Sequence, residues 1–188
     1  MTALQYFSYA NLGFPYMGVG RNMAYRKELF FNNSGFNDHM SLKSGDDDLF
    51  INKVADRTNT ASCFTKESFT ISEPKTSFKD WVLQKRRHVS TAKFYKPLHK
   101  FLLGLFYTSQ FLFWIIGMLL FVLGYPWEWL TALIAIRFII QLLCFGITAK
   151  KLNEIDLIVL APILELFLIL SQLSIFIANL ISKPKHWK

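Results

Sequence analysis

Residues 101–125 read FLLGLFYTSQFLFWIIGMLLFVLGY and contain no charged side chain. A helix of about 20 apolar residues is long enough to cross the hydrocarbon core of a bilayer, so this stretch predicts a membrane span. Two further apolar runs follow it, at about 129–148 and 155–181. The sequence therefore predicts a transmembrane region at 101–188 with about three helices.

The bulk composition supports a membrane protein. Of the 188 residues, 52% are hydrophobic, and the mean hydropathy of +0.27 is high for a soluble domain. The net charge is +8, with many basic residues at 79–100, immediately before the first apolar run. Basic residues at a membrane boundary mark the cytoplasmic side and attract anionic lipids. Nucleic-acid binding is the competing interpretation, and we discard it because the sequence contains no nucleic-acid-binding motif.

The third apolar run leaves two topologies open. A full third span would put the basic C-terminal tail outside the cell, against the positive-inside tendency, whereas a broken or re-entrant segment near Pro162 would not. Three ordinary spans are favoured because the run is long enough and the tail is short. We therefore expect a multi-pass protein of the cell membrane with residues 1–100 in the cytoplasm.

Residues 1–100 predict a mixed α/β region in front of the membrane helices. An aromatic helix is expected at 2–12, and a loop followed by a strand at 15–26. One or two strands are expected at 60–72, where β-branched and aromatic residues cluster. The predicted fold class is therefore α/β followed by membrane helices.

Two more predicted helices carry polar motifs. The first, at 46–55, would be capped by Ser44 or Gly45. Its inner face would consist of Leu49, Phe50 and Val54. The second follows the N-terminal capping pattern of Ser77 and Asp80 and runs to about His88.

Three consecutive acids, Asp46, Asp47 and Asp48, begin the helix predicted at 46–55. Acids at a helix N-terminus complement the helix dipole and accept hydrogen bonds from free N–H groups, so a structural role is one interpretation. The other is catalytic, because a fixed carboxylate can take the proton of an acceptor hydroxyl as a general base. A metal site is not predicted, since no other ligands have suitable spacing.

A cluster of polar residues follows on the second helix. Gln84, Arg87 and His88 share one face because they are three and four residues apart. Arginine can hold two phosphate oxygens, and glutamine can add a hydrogen bond, so this face could bind a diphosphate. A basic helix that holds lipid headgroups is the alternative.

A loop near the N-terminus contains Gly18, Gly20 and Asn22. Its small residues could let an acceptor approach the backbone, although a tight entry to a strand is an equally good interpretation. The spacing matches neither a P-loop nor a dinucleotide-binding fingerprint.

The remaining reactive or charged residues favour structural roles. Cys63 and Cys144 are far apart in the chain and are expected to be free thiols. Arg137 and Glu165 interrupt the apolar runs, where a charge at mid-depth costs about 3 kcal/mol. They could pair, reach the interface or face a protein interior, and a packing role is favoured.

The order of these motifs resembles the C-terminal part of a membrane-bound family 2 glycosyltransferase of the GT-A fold, of the cellulose synthase-like or Q-x-x-R-W type. Residues 15–26 look like the acceptor loop, with Gly18, Gly20 and Asn22 lining it. Asp46 and Asp47 look like the acidic pair of the family, which puts the base on Asp47. Gln84, Arg87 and His88 take the Q-x-x-R-W positions, with His88 replacing the tryptophan. The resemblance extends over residues 10–100.

The resemblance implies inverting transfer of a sugar from a nucleotide-sugar to a lipid-linked or polysaccharide acceptor at the cytoplasmic face. A divalent cation, Mg²⁺ or Mn²⁺, would assist, but no D-x-D metal motif precedes Gly18, so its main ligands are not expected in this chain. We therefore expect a fragment that is inactive alone and needs a separate N-terminal half for donor binding. The alternative is a non-catalytic membrane-anchored protein, with a basic juxtamembrane helix and a cytosolic domain that binds a partner.

Overall fold

The structure is a computed structural model that describes residues 2–42 and 45–182. These residues form the helices α1 (Thr2–Asn11), α2 (Lys27–Asn32), α3 (Asp48–Val54), α4 (Phe78–Thr91), α5 (Pro97–Val122), α6 (Trp127–Leu152) and α7 (Ala161–Ile181). Short 3₁₀ turns lie between them, at Gly20–Asn22, Asn37–His39, Lys66–Ser68, Ala92–Phe94 and Ile155–Leu157. The chain divides into two compact units. Residues 101–172 form the apolar unit, and residues 2–100 together with residues 173–182 form the N-terminal unit.

The strands predicted at 15–26 and 60–72 are not found, and the described ranges contain no β-strand. In the second region Thr65 and Phe69 do have extended backbones, but the turn Lys66–Ser68 separates them. Both the N–H and the hydroxyl of Ser68 donate to the Thr65 carbonyl, at 3.0 and 2.7 Å. Extended residues form a strand only where a neighbouring segment pairs with them, and local hydrogen bonds replace that pairing here.

Helix α3 puts its predicted apolar face into the core of the N-terminal unit. Leu49, Phe50 and Val54 are buried, which confirms this prediction. Phe50 is fully buried, and its ring centroid lies 4.9 Å from that of Tyr25 and 5.5 Å from that of Phe30. Burying such a side chain stabilises the folded state by about 1.5–3 kcal/mol, so Phe50 fixes α3 against the preceding segment.

The N-terminus of α3 differs from the prediction. The N-cap is Asp47 rather than Gly45, and Ser44 lies outside the described residues. Gly45 has a φ of +100°, a conformation that favours glycine, and its carbonyl accepts the N–H of Leu49 at 2.9 Å. The glycine therefore forms the turn that precedes the helix, and the aspartate supplies the cap.

Helices α1 and α4 agree with the sequence. A helix occupies Thr2–Asn11, close to the predicted 2–12. The Ser77 hydroxyl accepts the N–H of Asp80 at 3.2 Å, which confirms the capping pattern, and α4 continues to Thr91.

Within the described part of the chain, three helices are long and apolar enough to cross a membrane, namely α5, α6 and α7. Helices α5 and α6 begin slightly before the predicted runs at 101–125 and 129–148. Helix α7 begins later than the predicted 155–181, because Ile155–Leu157 forms a 3₁₀ turn first. Pro162 is the second residue of α7, where its missing N–H costs no helical hydrogen bond. The proline therefore starts this helix and does not break it.

The two charges inside the apolar unit form an ion pair. Arg137 Nη2 donates to Glu165 Oε1, and Glu165 is fully buried. The Arg137 guanidinium also lies over the Phe113 ring, 4.2 Å from its centroid, and 5.4 Å from the ring of Trp114. Of the roles left open by the sequence, pairing inside the protein is confirmed, and the pair joins α6 to α7.

Substitution of Glu165 tests this pair. Glu165→Gln preserves the side-chain shape but leaves the guanidinium of Arg137 without its counter-ion. Removing one partner of a buried ion pair costs about 3–5 kcal/mol, so we expect a loss of that size in the free energy of unfolding. Denaturant unfolding of the detergent-solubilised protein, followed by tryptophan fluorescence, measures the loss.

The matched control is the double variant Arg137→Leu, Glu165→Leu. It removes both charges and should recover most of the lost stability, because no charge is left unpaired. A Glu165→Gln protein as stable as the wild type would contradict the role of the pair.

Candidate functional site

Two of the predicted motifs meet at Asp47. Its Oδ2 accepts the backbone N–H of Gly20 at 2.9 Å, and its Oδ1 accepts the N–H of Asp48 at 2.9 Å. A Cβ atom at Gly20 would lie 3.0 Å from Oδ2 and 3.1 Å from the Cβ of Asp47. The glycine therefore allows the loop backbone to approach the carboxylate, which is half-buried and keeps free lone pairs on both oxygens.

The loop is held from its other side by the segment 68–72, which follows the turn Lys66–Ser68. Asn22 Nδ2 donates to the Ser68 carbonyl at 3.0 Å, and the Arg21 guanidinium donates to the Ser72 hydroxyl. Asn22, predicted to line an acceptor site, therefore anchors the loop. Gly18 is also tightly packed, since a Cβ there would lie 2.6 Å from the Met23 sulfur.

The three acids point to three different environments. Asp46 is exposed, whereas Asp48 is buried. Asp48 Oδ2 accepts the hydroxyls of Thr91 at 2.7 Å and Tyr95 at 2.5 Å. Burial, with the nearby charge of Asp48, raises the pKa of Tyr95 far above its usual value, so its phenol stays protonated and donates. Asp48 is therefore structural and joins α3 to the end of α4.

A second buried polar contact lies one turn along α3. Asn52 Nδ2 donates to the Tyr16 carbonyl at 2.8 Å and lies 2.9 Å from His99 Nδ1. Its Oδ1 accepts the Lys96 N–H at 2.9 Å. The sequence interpretation missed this network and the Asp48 contacts. The sequence did contain a signal for these contacts. Asp48 and Asn52 are four residues apart, and Thr91, Tyr95 and His99 repeat at the same spacing, so each set can lie on one helix face.

The third predicted motif lies on α4 in the same unit. Gln84 and Arg87 are half-buried, and His88 is exposed. Partial loss of hydration lowers the pKa of His88, and the charges of Lys85 and Arg87 lower it further. The carboxylates of Asp47 and Asp48 act in the opposite direction, so His88 lies within electrostatic range of the acidic motif.

Within the N-terminal unit the Asp47 carboxylate thus packs against the glycine loop, and α4 carries Gln84, Arg87 and His88. The sequence model described as "Glycosyl transferase family group 2" matches residues 2–149. The match covers well over half of the chain, so the chain belongs to this family. Neither the curated proteins nor the solved structures include a significant match.

The match confirms the family 2 glycosyltransferase predicted from the motifs and favours an enzyme over a non-catalytic anchor protein. The cellulose synthase-like subtype remains a prediction, as do the missing donor half and the roles of individual residues.

Members of the family generally use a divalent cation. Among residues 2–42 and 45–182, no group of three His, Cys, Asp or Glu side chains could hold a metal ion. Asp47 already orients each of its oxygens towards a backbone N–H, and Asp48 is buried and binds two hydroxyls through Oδ2. The described residues do not fit a metal, and no step below is assigned to one.

The depressed pKa of His88 predicts a pH dependence of stability. In the unfolded chain this histidine has an ordinary pKa of about 6.5 and binds a proton more readily than in the folded protein. Protons therefore favour unfolding, and stability should fall as the pH drops from neutral through about 6.5 and towards the folded pKa. Thermal unfolding in detergent between neutral and mildly acidic pH measures the slope.

His88→Gln is the control because it cannot titrate. Its unfolding temperature should fall less over the same range, and the difference from the wild type should be constant above neutral pH. Parallel pH profiles of the two proteins would contradict the depressed pKa.

Proposed function

We propose that this chain carries the acceptor side of the active site of an inverting glycosyltransferase. The sugar would pass from a nucleotide-sugar to a lipid-linked or polysaccharide acceptor at the cytoplasmic face of the membrane. The observation that carries this proposal is the 2.9 Å hydrogen bond from the Gly20 N–H to Asp47 Oδ2, which joins the loop to the acid.

Asp47 is the general base of this reaction. The acceptor hydroxyl oxygen attacks the anomeric carbon, the bond from that carbon to the diphosphate oxygen breaks, and the hydroxyl proton moves to Asp47. Attack from the face opposite the leaving group inverts the anomeric centre. The two N–H groups that bind Asp47 fix its orientation, and such positioning lowers the barrier by holding the base near the attacking atom.

Gln84 and Arg87 hold the leaving diphosphate. They lie one turn apart on α4, and the planar guanidinium can bind two phosphate oxygens at once. Neutralising the leaving group favours cleavage of its bond to the sugar. His88, with its lowered pKa, adds a neutral imidazole that can donate or accept a hydrogen bond beside them.

Asp47→Asn tests the base. The change is nearly isosteric, keeps an acceptor for the Gly20 N–H and removes the basic oxygen pair. We expect sugar transfer in membranes that contain the complete enzyme, with its donor-binding half, to fall by about 10²–10⁴-fold, the usual contribution of a general base. Nucleotide binding should be retained. Transfer of a radiolabelled sugar from its nucleotide donor measures the effect.

Asp46→Asn is the matched control, because Asp46 is the exposed neighbour in the same motif. Its activity should stay close to that of the wild type. Gly20→Ala tests the same contact from the loop side, since its methyl group would displace the Asp47 carboxylate. An Asp47→Asn enzyme that keeps more than about a tenth of wild-type turnover would rule out the base role.

Arg87→Lys tests diphosphate binding. Lysine keeps the charge but loses the two-pronged geometry, and a hydrogen bond to a charged group contributes about 1.5–3 kcal/mol. Inhibition by the nucleoside diphosphate product should therefore weaken by about tenfold or more. Lys79→Gln is the control, because it removes an exposed cation from the first turn of the same helix. Unchanged inhibition together with weaker binding to anionic liposomes would instead assign Arg87 to lipid headgroups.

A further inference from the structure

Arg86, next to the predicted diphosphate site, binds the C-terminal end of α7. Its Nε donates to Asn179 Oδ1 at 2.9 Å, and its Nη2 donates to the Ala178 carbonyl at 2.9 Å and the Ser182 hydroxyl at 3.0 Å. Nη2 also donates to the Ser182 carbonyl. In return, Asn179 Nδ2 donates to the Arg86 carbonyl at 3.0 Å. A cation suits this position, because the last carbonyls of a helix are unpaired and carry partial negative charge.

The contacts of α7 inside the apolar unit define its direction. Helices α5 and α6 are joined by the short segment 123–126 and line one cavity together, so they run antiparallel. The Arg137 guanidinium of α6 lies over the Phe113 ring of α5, which puts these two residues near the same level. Glu165 of α7 pairs with Arg137 and is therefore close to this level. If α7 ran from Glu165 towards the turn between α5 and α6, its next contacts on α5 would be with residues that follow Phe113 in the sequence.

The next contact of α7 lies in the opposite direction. The Tyr107 hydroxyl donates to the Ile169 carbonyl at 3.2 Å. Tyr107 precedes Phe113 on α5 and lies about 9 Å nearer the start of that helix. From Glu165 to Ile169, α7 thus moves away from the turn that joins α5 to α6. Its last part, from Leu173, belongs to the N-terminal unit, where Arg86 binds it.

We propose that the third apolar segment enters and leaves the membrane on the same side, and that its end docks onto α4 through Arg86 and Asn179. This topology puts Lys150, Lys151 and the end of α7 on the cytoplasmic side, in agreement with the positive-inside tendency. Arg86 is then a positioning residue for α4. Because α4 carries Gln84 and Arg87, the positioning role of Arg86 rests on the proposed function, in which these two residues hold the diphosphate.

Cysteine labelling in intact cells tests the topology without any need for activity. The chain offers an internal reference, because Cys63 is an exposed cysteine of the N-terminal unit. Three variants carry one cysteine each: Cys144→Ser keeps the native Cys63, and Ser182→Cys and Glu128→Cys, at the start of α6, are made in a background in which Cys63 and Cys144 are both replaced. A membrane-impermeant maleimide is added before or after permeabilisation.

The proposal expects Ser182→Cys to react like Cys63, only after permeabilisation, whereas Glu128→Cys reacts in intact cells. Reaction of Ser182→Cys together with Glu128→Cys in intact cells would mean that α7 crosses the membrane, and this result would overturn the proposal.

Two further variants test the positioning role. Arg86→Gln and Asn179→Leu each break one side of the contact, and Lys79→Gln is the control for loss of charge on α4. The first two should raise the labelling rate of a cysteine at the half-buried Ala178 several-fold and weaken inhibition by the nucleoside diphosphate, with little change in the acceptor KM. Arg86→Lys should restore part of the inhibition.

These readouts separate the proposal from the proposed function. An unchanged labelling rate in both variants would overturn the docking contact, whatever the reaction of the enzyme. A raised labelling rate with unchanged inhibition would leave the docking in place and overturn the positioning role.

Discussion

The N-terminal unit depends on the start of α3, where two adjacent aspartates bind in different directions. Successive residues of a helix are rotated by about 100°, so neighbouring side chains cannot face the same partner. Asp47 accepts the N–H of Gly20, and Asp48 accepts the hydroxyls of Thr91 and Tyr95. One helix end thus joins the loop to the end of α4. Because Asp48 is buried, losing its hydroxyl partners would leave a carboxylate unsatisfied at high free-energy cost.

Helix packing in the apolar unit is determined in a different way, because in a membrane the lipid tails are as apolar as the side chains that face them. Burial of apolar surface therefore cannot determine which helices pack together inside a membrane, and polar contacts contribute more to specificity. The Arg137–Glu165 pair and the Tyr107 hydrogen bond to Ile169 have this role. Both fix α7 against the other two helices at defined residues. The two charged residues that interrupt the apolar sequence are therefore residues that define the packing.

Local patterns in the sequence predicted local structure well. The spacing of Leu49, Phe50 and Val54 gave the buried face of α3, and Ser77 with Asp80 gave the start of α4, because both depend on residues within one or two turns. Strands at 60–72 failed because pairing requires a partner segment that the pattern does not contain. The order of the motifs indicated the family, but it could not show that Gly20 binds Asp47. Arg86 was missed because its partner Asn179 is 93 residues away in the chain.

Helix α4 is bound at two places within the N-terminal unit, and the two binding partners come from different parts of the chain. Thr91, at its end, is bound by Asp48 of the acidic motif, and Arg86, in its middle, is bound by the end of an apolar helix. Gln84 and Arg87 lie on the same helix, so their position relative to Asp47 depends on both contacts. A shift of about 1 Å in such groups can reduce a reaction rate by 10²-fold. Under the proposed function, the end of α7 would therefore contribute to the geometry of the site through Arg86.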